Sequence, residues 1–189
     1  MGKTPAKLPY RIITISGRVA SGATTLSRHL SQKLNWTLWN GGEIYRKYSK
    51  DADIPLERTD LSADDYHLKL DNYIKEKLKT EKNLIMESWL SGFNAQGIAG
   101  IFKIFVICSV DSVRVDRLVN RENITIDAAK EHLKRREEEN FKKWQRLYKT
   151  ANFWNRRFYD LVIDTYTNGP TQTLEIALNA LGFYPGINH

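Results

Sequence analysis

Short, unbroken apolar runs separated by amphipathic stretches set the plan of this chain. Arg11–Ser16 (RIITIS) is a β-branched run that ends at Gly17, which predicts a buried strand. Leu26, Leu30 and Leu34 then recur at every fourth position with polar residues between them, the spacing of a helix with one apolar face. Trp36–Trp39 reads as a second strand stopped by Gly41-Gly42, and Glu43–Lys50 as a helix. Leu61–Lys79 reads as an amphipathic helix opened by Ser62 and the acids after it. Asn83–Glu87 (NLIME) and Phe102–Cys108 (FKIFVIC) are further strands, Ser112–Asn120 a short helix and Thr125–Tyr148 a long charged one. Leu161–Asp164 (LVID) is the last strand, and Thr171–Leu181 the last helix, closed by Gly182.

Strand and helix alternate, and the strands are apolar on both faces. That combination predicts an α/β fold: a three-layer sandwich with a parallel central sheet. Ligands in such sheets bind beyond the carboxyl ends of the strands. Chemistry is therefore expected in the loops after Ser16, Trp39, Glu87 and Cys108.

At 189 residues with 41% hydrophobic and 27% charged positions, the expectation is one folded domain over 1–189 rather than a disordered or fibrous chain. The single cysteine, Cys108, excludes a disulfide framework and a cysteine-based zinc site. No apolar run is long enough to span a membrane. The first residues, MGKTPAKLP, form a basic tail over 1–9 without a signal pattern, so a cytoplasmic protein is expected. Net charge is +7, and residues 1–50 carry nine Lys/Arg against a single acid, Glu43. Such a bias suits nucleic acid or a phosphorylated small molecule. His29, His67, His132 and His189 are scattered without metal-ligand spacing.

The loop after the first strand decides between those partners. Gly17-Arg18-Val19-Ala20-Ser21-Gly22-Ala23-Thr24 joins a strand to a helix and follows G-x-x-x-x-G-K-[ST] except at Ala23. Glycines let such a loop curl its N–H groups inward around an anion, and the helix N-terminus adds partial positive charge. Gly17 through Thr25 are thus candidate phosphate-binding residues, and Thr24 takes the Mg²⁺-ligating hydroxyl position. Ala23 stands where a lysine would reach the β- and γ-phosphates. Three explanations remain open: Arg18 folds over the phosphates instead, backbone amides act alone with slow transfer, or Ala23 is an engineered replacement.

With RIITISG…SGATTLSRHLSQKL, the Gly42–Arg46 segment, Arg121-Glu122, Arg136-Glu137 and Tyr159–Thr165 in this order, residues 11–182 resemble the archaeal-type cytidylate kinases among the P-loop nucleoside monophosphate kinases. The resemblance implies ATP and Mg²⁺ at the loop, an acceptor-binding segment over about 45–78 and a helical lid over about 112–148. It implies acceptor contacts from Gly42, Glu43, Arg46 and Glu87. It also implies phosphoryl-stabilising arginines among Arg117, Arg121, Arg135 and Arg136, with Arg18 joining them if it replaces the lysine. The chain departs from the family at Ser88-Trp89, where Gly-Arg is usual, and at Ala151–Trp154, where Gly-Ile-Asp is expected. Trp89 is a candidate for stacking on a base. The expected activity is phosphoryl transfer from ATP to CMP or dCMP by a monomer binding small-molecule nucleotides, with no nucleic-acid or membrane partner. The alternatives are a nucleotide-binding sensor with degraded catalysis and, third, a nucleic-acid binder.

Overall fold

β1 (Ile12–Gly17), β2 (Thr37–Asn40), β3 (Leu84–Glu87), β4 (Ile101–Ile107) and β5 (Leu161–Asp164) pair in parallel, in the spatial order β2-β3-β1-β4-β5. The computed structural model describes residues 7–183; of the expected basic tail, residues 1–6 lie outside the described residues. The helices are α1 (Ala23–Leu34), α2 (Gly41–Asp51), α3 (Asp64–Thr80), the single turn α4 (Ser91–Asn94), α5 (Asp111–Glu122), α6 (Ile126–Tyr148) and α7 (Pro170–Ala180). This is the three-layer α/β architecture expected from the sequence.

Alternation along the strands builds two cores. Ile13, Ile15, Ile104 and Val106 face Leu26, Leu30 and Leu34 of α1 and Ala177 and Leu178 of α7. Ile12, Leu84, Met86 and Ile101 face Ile74 and Leu78 of α3. β1 thus has no exposed side, and its carboxyl end is held rigidly between β3 and β4.

Most element ends shift by a residue or two from expectation, and three larger departures have local reasons. Gly41-Gly42 begin α2 instead of merely stopping β2, because the Asn40 side chain accepts from the Glu43 N–H at 2.9 Å and caps the helix. Ser62 does not open α3. Its hydroxyl donates to the Thr59 carbonyl at 2.6 Å and meets His67 Nε2 at 2.7 Å, so a 3₁₀ turn over Thr59–Leu61 precedes a helix starting at Asp64. The turn α4, absent from the sequence reading, places Ser91 Oγ within 3.2 Å of Ser16 Oγ, under the end of β1.

α5 and α6 share an apolar interface through Val115, Leu118, Ala129 and Leu133, which also holds Val19. α6 meets the segment before and along α3 through polar groups. Asn140 donates to Thr59 Oγ1 at 2.8 Å, Lys143 to the Ser62 carbonyl, Arg146 to both Asp64 oxygens, and Tyr148 to buried Asp71. His67 is buried in this seam, where burial first and Lys143 second push its imidazole down to about 4.

Two measurements follow from this packing. Leu30 is fully buried, so Leu30→Ala is expected to lower unfolding free energy by about 2–5 kcal/mol in urea titrations. His67 titrates near 6.5 in the unfolded chain but near 4 when folded, so the unfolded state takes up the proton first as pH falls. Stability is expected to drop by up to about 3 kcal/mol between pH 6.5 and 4. His67→Gln is expected to flatten that dependence; an unchanged slope would assign it to other groups.

Candidate active site

A cavity of about 400 Å³ opens at the carboxyl ends of β1 and β3, between the first loop, α5, α6 and the segment after β5. The whole predicted stretch from Gly17 to Thr25 lines it, together with Gly42, Arg46, Glu87, Trp89, Arg117, Arg121 and Arg136.

The loop is curled as an anion cradle must be. Ala20 and Gly22 take left-handed conformations at φ 58° and 97°. Ser21 N–H donates back to the Arg18 carbonyl at 3.1 Å. A side chain on Gly17 would lie 2.4 Å from Ser21 Oγ and 2.9 Å from the Val106 carbonyl, which leaves glycine as the residue that fits. Gly22 caps α1 without a side-chain hydrogen bond, so the first N–H groups of α1 have no side-chain cap from that residue and are placed for an anion.

Around the cradle the arginines divide by what they already hold. Arg117 donates to the Ala20 carbonyl at 3.1 Å and to Thr165 Oγ1 and its carbonyl at 2.9 and 3.0 Å. It braces the loop against the segment after β5. Thr165 itself donates to the Ser21 carbonyl at 2.7 Å. Arg18 pairs with Glu137 of α6 and lies 5.9 Å from the Trp154 ring. Arg121 pairs with Glu122 at 2.8 Å.

Arg46 and Arg136 differ from these. Among the described residues neither forms an ion pair with a carboxylate, and the Nε of Arg136 is buried without a partner. Burial, with Arg46 and Arg121 close by, pushes Arg136 down to about 10. Its guanidinium lies 5.5 Å from the Trp89 ring. Buried positive charge without an acid partner is costly unless an anion arrives to meet it.

Glu87, at the end of β3, is buried. Burial pushes its carboxyl up to about 7, opposed by Arg46 and by the Thr24 hydroxyl 3.5 Å away. Thr24 Oγ1 and the Glu87 carboxylate form a hard-oxygen pair beside the cradle, a donor set that fits Mg²⁺. No larger His/Cys/Asp/Glu cluster occurs among the described residues.

Some predicted residues lie elsewhere. Arg135 is exposed and outside the cavity, since neighbours on a helix diverge by about 100° and only Arg136 turns inward. Of the expected Arg135-Arg136 pair, only Arg136 lines the cavity. Glu43 also lies outside the cavity, paired with Arg28 at 2.7 Å on the surface. Trp89 is wedged edge-on against Trp144 at 5.2 Å and 6.2 Å from Trp154, with one side toward the cavity.

The sequence reading missed Arg28, Asn168, Pro170 and Thr173, which line the cavity, and assigned no contact to Thr165 there. It also missed Arg114 and Glu137, which bind each other behind the loop. The signal available for 165–173 was the rule that ligands bind beyond the carboxyl ends of parallel strands, which applies to the loop after Asp164 as it does to the four loops named above. No comparable signal marked the Arg114–Glu137 pair.

A second, smaller cavity of about 70 Å³ adjoins the first along Gly42, Trp89 and Arg136. Tyr45, His67, Asp71, Ser88, Asn140 and Trp144 share its walls with Leu70, Ile74 and Leu90. The hydroxyls of Tyr45 and Ser88 are buried without partners, and burial raises Asp71 above the usual carboxylate range despite donors from Tyr148 and Asn94. The site as a whole is a curled, amide-rich loop joined to a small, mostly apolar cleft with a few buried polar groups.

Among solved structures, a gluconokinase from Sinorhizobium meliloti is similar over 93% of both chains at 14% identity and TM-score 0.60. A shikimate kinase from Acinetobacter baumannii is similar over 92% of this chain and 94% of its own, at 12% identity and TM-score 0.57. These likenesses show the fold of P-loop kinases. In sequence, the cytidylate kinase of Halobacterium salinarum is 31% identical over 176 residues, covering 92% of this chain and 90% of its own. That of Methanosarcina acetivorans is 32% identical over 176 residues, covering 89% and 97%. The pattern of the cytidylate kinase-like family matches residues 12–167, and with the phosphate loop, the parallel sheet and the inward arginines on one cavity, this chain belongs to that family.

Proposed function

We propose that this protein transfers a phosphoryl group from ATP·Mg²⁺ to a nucleoside monophosphate, with CMP or dCMP as the acceptor. The observation that carries the reading is that Arg136, buried without an acid partner, and Arg46, which forms no ion pair within bonding distance, line the same cavity as the cradle. A donor polyphosphate lies on the loop amides and the α1 N-terminus; the acceptor's phosphate lies between Arg46 and Arg136. Its base enters the smaller cleft, whose size suits a single ring and whose Tyr45 and Ser88 hydroxyls await polar partners. The names of the curated relatives favour cytosine.

Transfer then needs little beyond alignment. An acceptor phosphate oxygen, already ionised at neutral pH, forms the new bond to the γ-phosphorus as the bond to the ADP oxygen breaks. Thr24 and Glu87 would hold Mg²⁺, which neutralises phosphate charge. Arg136 and Arg121, from α6 and α5, meet the charge on the migrating group, while Arg117 keeps the loop shaped. In this reading residues 45–78 bind the acceptor and 112–148 act as the lid, working as a monomer in the cytoplasm. Among the described residues no helix is long and apolar enough to cross a membrane.

An ADP-release assay across the common monophosphates tests this. CMP and dCMP are expected to give the highest kcat/KM, and Arg46→Ala or Arg136→Ala to lower it by about 10²–10³. ATP binding without turnover on any acceptor would replace the kinase reading with that of a nucleotide sensor.

A further inference from the structure

Behind the phosphate loop, the two oxygens of Glu137 hold two different arginines: Oε1 takes Nη2 of Arg114 and Oε2 takes Nη2 of Arg18. Arg114 is itself fixed. Its Nε donates to the Val19 carbonyl at 2.9 Å and its Nη1 to Asp111 at 2.8 Å, and its side chain is only 5% exposed. Glu137 is therefore anchored on one oxygen and has the other committed to the loop. The Trp154 ring lies 5.9 Å from the Arg18 guanidinium, and Trp154 is held in turn by its Nε1 donating to the Trp89 carbonyl at 3.1 Å. Arg18 lines the cavity and its side chain is 46% exposed, with a single N–H used. The remaining donors of a guanidinium so gripped are free for an anion.

We propose that Glu137 is a positioning residue that sets Arg18 at the edge of the phosphate cradle, where Arg18 supplies the charge that a lysine at position 23 would supply. Because Glu137 belongs to α6 and Arg18 to the loop, the same bond ties the loop's cation to the helix that carries Arg136. A guanidinium free in solvent loses rotamer freedom on meeting phosphate; one held by Glu137 and Trp154 has lost much of it already. This inference rests on the reading above that the cavity binds ATP.

Calorimetry with ATP·Mg²⁺ and no acceptor tests it without requiring turnover. Arg18→Ala and Glu137→Gln are each expected to weaken ATP by about tenfold, and the double variant by no more than about twofold beyond either single, as for groups acting in series. Ala23→Lys is expected to recover most of the loss in the Arg18→Ala background while strengthening the parent protein threefold or less. With CMP present, kcat is expected to follow the same pattern and the acceptor KM to stay within about twofold.

Glu137→Asp covers the case in which Glu137→Gln does not fold. It keeps a carboxylate beside Arg114 but is one methylene short of reaching Arg18 as well, and the same tenfold loss is expected. Independent, multiplying losses in Arg18→Ala and the Glu137 variants would overturn the proposal. So would unaltered ATP affinity in either one, or equal gains from Ala23→Lys with and without Arg18. If the parent protein binds no ATP, the functional reading itself fails, a result distinct from all of these.

Discussion

A guanidinium buried without a carboxylate is among the least comfortable groups a folded chain can hold, and Arg136 is in that position. Its neighbours lighten the cost without removing it. The face of Trp89 supplies an electron-rich surface, and α6 holds the side chain from a helix docked along its whole length. Arg46 and Arg121 add to the strain by repulsion. Substituting an apolar residue would relieve that strain, so the arrangement makes physical sense as a site prepared for an anion. The fold around it then follows: α6 must be long to carry Arg136 inward, and it must be tied at many points to keep it there.

Those ties are of two chemical kinds. Toward α5 the contact is apolar, through Leu118, Ala129 and Leu133. Toward the segment ahead of α3 it is a run of hydrogen bonds and ion pairs from Asn140, Lys143 and Arg146. Only the Arg146–Asp64 pair is exposed and cheap to exchange with water; the bonds of Asn140 and Lys143 are buried and cost more to open, because each would leave a polar group without a partner. The α5–α6 pair is thus held on both sides, by apolar contact on one and by buried polar contact on the other. The phosphate loop sits on the apolar side, because Val19 is part of the α5–α6 core and Arg117 grips the Ala20 carbonyl.

The sequence is readable where spacing alone constrains geometry. The cradle was legible because a strand, two glycines at fixed separation and a helix start leave few conformations, and left-handed Ala20 and Gly22 bear that out. The sheet was legible because β1 and β4 are apolar on both faces. Gly41-Gly42 misled because glycine stops one element as readily as it starts another, and only the Asn40 cap decides. Along Arg135–Glu139 the residues alternate little in type, so their roles depend on rotation about the helix axis. Arg136 and Glu137 turn inward and Arg135 does not. Arg114 and Glu137 meet only after two helices pack, an event the local pattern does not encode.

The distribution of partners among the cavity's arginines also gives the missing lysine a physical setting. On the loop side, the cations are engaged: Arg18 with Glu137, Arg117 with carbonyls, Arg28 with Glu43 and Arg121 with Glu122. On the opposite side, Arg136 has no acid partner, and Arg46 forms no ion pair but lies near buried Glu87. The least compensated positive charge is therefore at Arg136, away from the cradle, and the cradle depends on amide dipoles and the α1 N-terminus. A lysine at position 23 would put an unpaired charge at the cradle and even out that asymmetry. With Ala23 packed into the core beneath β1, the loop side's remaining adjustable charge is Arg18, whose position is set by a carboxylate on the helix that carries Arg136. Donor-side and acceptor-side electrostatics are thereby joined through one helix, α6, instead of being fixed separately by the loop.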